Sequence, residues 1–139
     1  YLLHSTNSNK TYVGATNNLY NRLNKHHSKT GGAKYTKGEF WYVVLVVTGF
    51  SNKKSCLSFE SGWHKIRKRQ KKFIFKIKAR GLTNRLIQLA NLTHLGNLKN
   101  KWHSSQLTIH LLEKINIPKS LSFPTNINNK LIDMPFMNI

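Results

Sequence analysis

The chain has 139 residues, enough for one ordinary domain with a modest core, and carries 23 Lys and Arg against four Asp and Glu, a formal charge of +19. A charge of that size points to a polyanionic partner, above all nucleic acid, and argues against acidic-surface or membrane-spanning classes. Its single cysteine, Cys56, excludes an intrachain disulfide and any multi-cysteine zinc site, and no apolar run approaches the ~20 residues that span a bilayer.

Tyr1–Ser5 and Lys10–Gly14 are short β-prone runs separated by Asn7-Ser8-Asn9, whose turn chemistry predicts a hairpin. The chain opens on Tyr1 inside the first run, so residues are expected upstream; no signal peptide is visible. Thr16 or Asn17 can cap a helix whose inner face carries Leu19, Tyr20 and Leu23, through about His26. Ser28–Gly38 reads as a Gly/Lys/Thr loop. Phe40–Val47 is a continuous apolar, Val-rich run and predicts a central strand. Ser51 is placed to cap the next helix, which carries Cys56, Leu57, Phe59, Glu60, Trp63 and Ile66. The order β-β-α-β-α predicts a small mixed α/β (α+β) unit with a three-stranded antiparallel sheet over residues 1–80.

Lys65–Lys78 is the densest basic stretch, with Lys65, Arg67, Lys68, Arg69, Lys71 and Lys72 in its first half and Phe73, Phe75 and Ile77 alternating in its second. Gly81 breaks it. Thr83 can cap a helix bearing Leu86, Ile87, Leu89, Ala90 and Leu92, within a partly helical extension over 81–116 that includes a possible strand at Leu107–Leu112. Residues 117–139, with Pro118, Pro124, Pro135 and many Asn, are expected to be poorly ordered. There are no internal repeats.

The acids are Glu39, Glu60, Glu113 and Asp133, each in a separate segment. Glu60 stands out because it sits in a helix beside apolar residues at helical spacing. It can favour the helix dipole, or it can hold a divalent ion. A two-metal site would need clustered carboxylates; one carboxylate supports one ion that keeps most of its water, Mg²⁺ or Mn²⁺. Arg22 and His26, at i and i+4, share a helix face, and the Arg22 fork can grip a phosphate. Tyr12 is either a strand aromatic or a phenol able to take a proton when cations lower its pKa from ~10. Gly31-Gly32 with Lys34 can let the backbone approach phosphate closely. Trp63 reads as core, and the Lys65–Lys78 run as either a solvated face or a phosphate-binding surface.

The ordered set Tyr1, Tyr12-Val13-Gly14 eleven residues on, Arg22 ten residues after Tyr12, His26 and Glu60 resembles the GIY-YIG nuclease superfamily. The resemblance is closer still to one branch, the Slx-type catalytic subunit of structure-specific DNA endonucleases. It is carried by Tyr1-Leu2-Leu3, Lys10–Gly14, Arg22-Leu23, Gly31–Lys34 with Thr36, Val47–Phe50 and Phe59-Glu60 with Trp63, and covers roughly residues 1–64. The resemblance implies a metal-dependent DNA endonuclease acting on branched or flapped DNA in replication, repair or recombination. It also implies Glu60 as metal ligand, Arg22 as phosphate clamp, and Tyr12 as general base, with Tyr1 orienting or replacing it and His26 as the rival. The expected location is intracellular rather than secreted, in the nucleus or cytoplasm, with that of a virus-infected host cell as an alternative. Two departures stand out. The branch's C-terminal zinc module, which docks a scaffold partner, cannot be built from one cysteine. Phe40-Trp41 stands where Pro-Trp is usual. Short zinc-free versions are similar to those of large DNA viruses. The competing function is a nucleic-acid-binding module that keeps this fold without cleavage.

Overall fold

The computed structural model describes residues 1–5, 7–27, 40–66, 79–98, 107–111, 121–123 and 128–131. Their elements, in chain order, are β1 (Leu2–Ser5), β2 (Thr11–Val13), α1 (Leu19–His27), β3 (Trp41–Thr48), α2 (Lys53–Lys65), α3 (Gly81–Leu98), β4 (Thr108–Leu111) and β5 (Asn128–Leu131). They form a mixed α/β unit around one sheet of strand order β2-β1-β3-β4-β5. The first four strands pair antiparallel and β5 lies parallel to β4. The sheet thus extends beyond the three strands expected from sequence. The segment expected to be poorly ordered contributes β5 to it.

β3 is the longest strand. Its Val-rich sequence suits a pleated surface covered on both sides. Its register with β1 shifts between Leu2, opposite Leu45, and Leu3, opposite Val43. That irregularity sends Val44 and Leu45 into one core cluster while Val43 and Val46 enter another. On one face Leu2, Val13, Val44 and Leu45 meet Phe59 and Trp63 of α2, Ile66 just after it, and Leu86, Leu89 and Ala90 of α3. On the other, Tyr1, Leu3, Trp41, Val43 and Val46 pack with Leu23 of α1. Each large apolar side chain buried in this way contributes about 1.5–3 kcal/mol. α3 is covered all round from Leu86 to Thr93, and even the Thr93 hydroxyl is satisfied, donating to the Leu89 and Ala90 carbonyls at 3.0 and 2.9 Å. The helical extension shares the core of the preceding unit.

The helix starts differ from the sequence reading by a residue or two. Asn18 caps α1, its Oδ1 accepting from the Asn21 amide at 3.0 Å, while Thr16 turns back onto Asn18. Asn52 rather than Ser51 caps α2, accepting from the Ser55 amide at 2.8 Å with an extended backbone. Thr83 lies inside α3, which begins at Gly81. That glycine has φ +61°, and a Cβ there would come closer than 3.0 Å to the Asn9 amide. Among the described residues no helix is long and apolar enough to cross a membrane.

Candidate active site

The site grows from the end of the β1–β2 ladder. The Tyr1 nitrogen donates to the Gly14 carbonyl at 2.9 Å, and the Gly14 amide returns a bond to the Tyr1 carbonyl at 3.1 Å. This pairing lays the Tyr1 ring across Gly14. A Cβ at position 14 would come within 3.0 Å of Tyr1 Oη, Cζ and Cε1, so only glycine leaves room for the phenol.

α1 then presents Arg22 and His26 to that phenol. Tyr1 Oη and His26 Nε2 share a hydrogen bond of 2.7 Å, and Arg22 Nε–H donates to the same oxygen at 3.2 Å. His26 is only 2% exposed and stands edge-on to the Tyr12 ring, centroids 4.8 Å apart. Hydrogen bonds to Tyr1 and then Tyr12 stabilise the charged guanidinium and raise the Arg22 pKa. Burial pushes the Tyr1 phenol up to about 12, with the Arg22 hydrogen bond pulling in the opposite direction. Two phenols, an imidazole and a guanidinium therefore form one bonded cluster.

Glu60 reaches the same place from the other side. Phe59 and Trp63 anchor α2 in the core, and the Trp63 indole N–H donates to the Arg85 carbonyl at 3.2 Å. Glu60, between these anchors, is left half-buried at the rim. It lines a cleft of about 270 Å³ together with Tyr1, Gly14, Thr16, Cys56 and Trp63. A larger groove of about 770 Å³ adjoins this cleft and shares Ala15, Thr16, Thr48, Phe50 and Cys56 with it. Arg22, Lys25 and Lys53 line that groove. Cys56 is a half-buried free thiol whose pKa burial raises. Glu60 Oε1 lies 3.8 Å from His64 Nε2 one turn on.

Of the residues singled out by sequence, Tyr1, Tyr12, Arg22 and His26 form this cluster, and Glu60 faces Tyr1 across the cleft. Tyr12 belongs to the cluster but is not among the residues lining the cleft. Trp63 is core, as its spacing suggested. At the entry to β3, Phe40 is exposed and Trp41 buried. Lys65 is exposed at the end of α2, whereas Lys34, Arg67, Lys68, Arg69, Lys71 and Lys72 lie outside the described residues. Lys25, which the sequence offers as an alternative DNA-gripping charge one turn after Arg22, lines the groove, and Lys53, which the sequence reading missed, lines it too.

Residues 1–73, a little over half the chain, match the GIY-YIG catalytic domain. The chain belongs to the GIY-YIG family. Its GIY-YIG domain is 47% identical over 73 residues to an uncharacterised protein of Acanthamoeba polyphaga mimivirus, an alignment covering 50% of this chain and 44% of that protein. It is 42% identical over 67 residues to the structure-specific endonuclease subunit SLX1 of Phaeosphaeria nodorum, covering 45% of this chain and 18% of that protein. With SLX1 of Vanderwaltozyma polyspora the figures are 44% over 69 residues, 45% and 22%. The chain thus aligns with less than half the length of each relative.

The GIY-YIG cleft can be tested for the ion that its carboxylate suggests. Among the described residues no three His, Cys, Asp or Glu side chains converge. Among the described residues Glu60 is the only carboxylate lining the cleft, and its side chain is partly open to water. That donor set does not suit zinc, which takes three or four protein ligands. It fits a hard ion that retains most of its water.

Proposed function

We propose that the protein is a metal-dependent DNA endonuclease that hydrolyses phosphodiester bonds, with branched or flapped DNA as its substrate in replication, repair or recombination. The observation that carries this reading is the Tyr1 hydroxyl, held by His26 and Arg22 in the cleft that Glu60 also lines. The SLX1 names of two relatives support the preference for particular DNA structures.

Hydrolysis needs a base for water, a counter-charge for the phosphorane-like transition state and a stabilised leaving oxygen. The base must first be in reach, and Tyr1 is the phenol that lines the cleft. With a pKa of about 12, almost none of it is phenolate at neutral pH. Its hydrogen bond to His26 removes that difficulty. Tyr1 Oη takes the proton of the attacking water while its own proton passes 2.7 Å to His26 Nε2, which enters the step unprotonated. Water oxygen then bonds to phosphorus, the bridging P–O bond breaks, and the leaving oxygen is protonated from solvent. Arg22, fixed by the phenols and lining the adjoining groove, holds a non-bridging phosphate oxygen as its charge grows. Tyr12 packs against His26 and helps fix Arg22. When bound at Glu60, one Mg²⁺ or Mn²⁺ ion supplies Lewis-acid stabilisation of the phosphate charge. These 139 residues hold a single cysteine, Cys56, so they do not themselves build a multi-cysteine zinc site.

The test is a panel of end-labelled flaps, three-way and four-way junctions and plain duplex, incubated with Mg²⁺. Wild type is expected to nick the branched structures in preference to duplex, and Glu60→Gln to bind them without cutting. Equal cutting of duplex would remove the structural preference. Binding without metal-dependent cutting by wild type would make the protein a non-cleaving module.

A further inference from the structure

A second concave site lies beyond the catalytic cleft, among the Asn7–Asn9 turn, the end of α2 and the start of α3. It is a groove of about 510 Å³, and Lys10, Thr11, His64, Asn84, Arg85 and Gln88 contribute to its lining. Its chemistry is one-sided. A lysine, an arginine, three amides (Asn9, Asn84 and Gln88), a hydroxyl and an imidazole face it, and among the described residues no carboxylate lines it. The Arg85 guanidinium is already fixed, its Nε–H donating to Thr11 Oγ1 at 2.9 Å and its Nη1–H to Gln88 Oε1 at 3.2 Å. A planar fork anchored in this way loses little freedom on meeting an oxyanion. Arg80, just before the groove's Gly81, is exposed and adds positive charge nearby.

The groove also lies in line with the cleft. β2 borders the cleft at Val13 and Gly14 and the groove at Lys10 and Thr11. α2 borders the cleft at Cys56 and Glu60 and the groove at His64, with Glu60 and His64 3.8 Å apart. Three residues of strand span roughly 10 Å and four residues of helix roughly 6 Å. For a duplex whose axis follows β2 and α2, that separation is roughly two to three steps at ~3.4 Å of axial rise per step.

We infer that the Lys10–Arg85 groove is a second phosphate-binding site, which holds the nucleic-acid backbone two to three nucleotides from the bond being cut. This rests on the nuclease reading and adds to it the path of the strand. Lys10 and Arg85 neutralise the phosphate, and the Asn84 amide and Thr11 hydroxyl complete a hydrogen-bonding cradle. No base edge is read there, which suits an enzyme that recognises DNA structure rather than sequence.

Binding is measured in the uncleaving Glu60→Gln background, so that the readout does not depend on turnover, and wild-type cleavage is followed in parallel. Lys10→Gln is expected to lower the slope of log affinity against log salt by about one unit. Lys10→Arg should restore it, and Lys54→Gln, at an exposed position of α2 outside the groove, should leave it unchanged. Phosphate-ethylation interference should mark a phosphate about two to three nucleotides from the cut, and Lys10→Gln should erase that mark. If wild type still cuts DNA while Lys10→Gln keeps the full slope and the same interference pattern, the groove is not a phosphate site and the nuclease reading stands. If wild type neither binds nor cuts DNA, both fall together.

Discussion

The two faces of the sheet are built for different purposes. Beneath α2 and α3 the core is mainly apolar, with Leu2, Leu45, Trp63, Leu86, Leu89 and Leu107 almost wholly removed from water and the buried Thr93 hydroxyl satisfied within α3 itself. Beneath α1 the apolar set is smaller, and at its edge it gives way to Tyr1, Tyr12, His26 and Arg22, which satisfy one another by hydrogen bonds and ring contacts. The first face can lose a side chain and pay only in stability. The second holds buried polar groups whose partners are each other, so removing one leaves another unsatisfied and displaces the rest. Glu60 joins the two: its helix is anchored in the apolar face, yet its carboxylate reaches the cleft of the polar one.

Substitutions that separate rate from stability sharpen this contrast. The largest effect is expected at Arg22. Arg22→Ala should lower the single-turnover cleavage rate by roughly 10²–10³-fold, about 2.7–4 kcal/mol of transition-state stabilisation, with a much smaller loss of DNA affinity. Equal losses in rate and affinity, with turnover at saturation intact, would make Arg22 a binding residue. Leu89→Ala is the counterpart on the apolar face. It should cost about 2–5 kcal/mol in chemical denaturation, while the rate per folded molecule stays near wild type. A large rate loss in fully folded Leu89→Ala would break the division between the faces.

The smallest effect is an alkaline one. The Tyr1 pKa is raised in the fold, from 10 to about 12, so folding favours the protonated phenol. That contribution is fully present below pH 10 and is lost as pH rises from 10 through 12. Tyr1→Phe should therefore flatten the fall in stability over that interval, as read by denaturant midpoints at stepped pH. An unchanged alkaline limb would place the titrating groups elsewhere.

Much of this arrangement was legible in the sequence, and the reason is local. Tyr12-Val13-Gly14 announces itself as a strand motif, Arg22 and His26 fall on one helix face by spacing alone, and Glu60 was conspicuous for want of other acids. The α/β class and the first six elements followed from hydrophobic period and turn residues. The unread features depend on long-range contact. The Tyr1–His26 bond spans 25 residues and the Arg85–Thr11 bond spans 74, and no periodicity encodes either. The helix starts were misread where Thr16-Asn17-Asn18 and Ser51-Asn52 offer adjacent capping side chains of similar propensity. β5 was missed because its Asn-rich strand has no alternation of apolar residues, and its pairing with β4 decides its conformation.

The central claim is that the phenol of Tyr1, relayed to His26, takes the proton of the attacking water. Single-turnover cleavage by Tyr1→Phe and Tyr12→Phe, with protein saturating a labelled branched DNA and Mg²⁺ present, tests it most directly. Tyr1→Phe is expected to slow the chemical step by roughly 10²–10⁴-fold, the usual worth of a general base, with DNA binding retained, and Tyr12→Phe to keep the rate within about tenfold of wild type. A Tyr1→Phe enzyme cutting near the wild-type rate while Tyr12→Phe is inactive would contradict the claim and transfer the base to Tyr12.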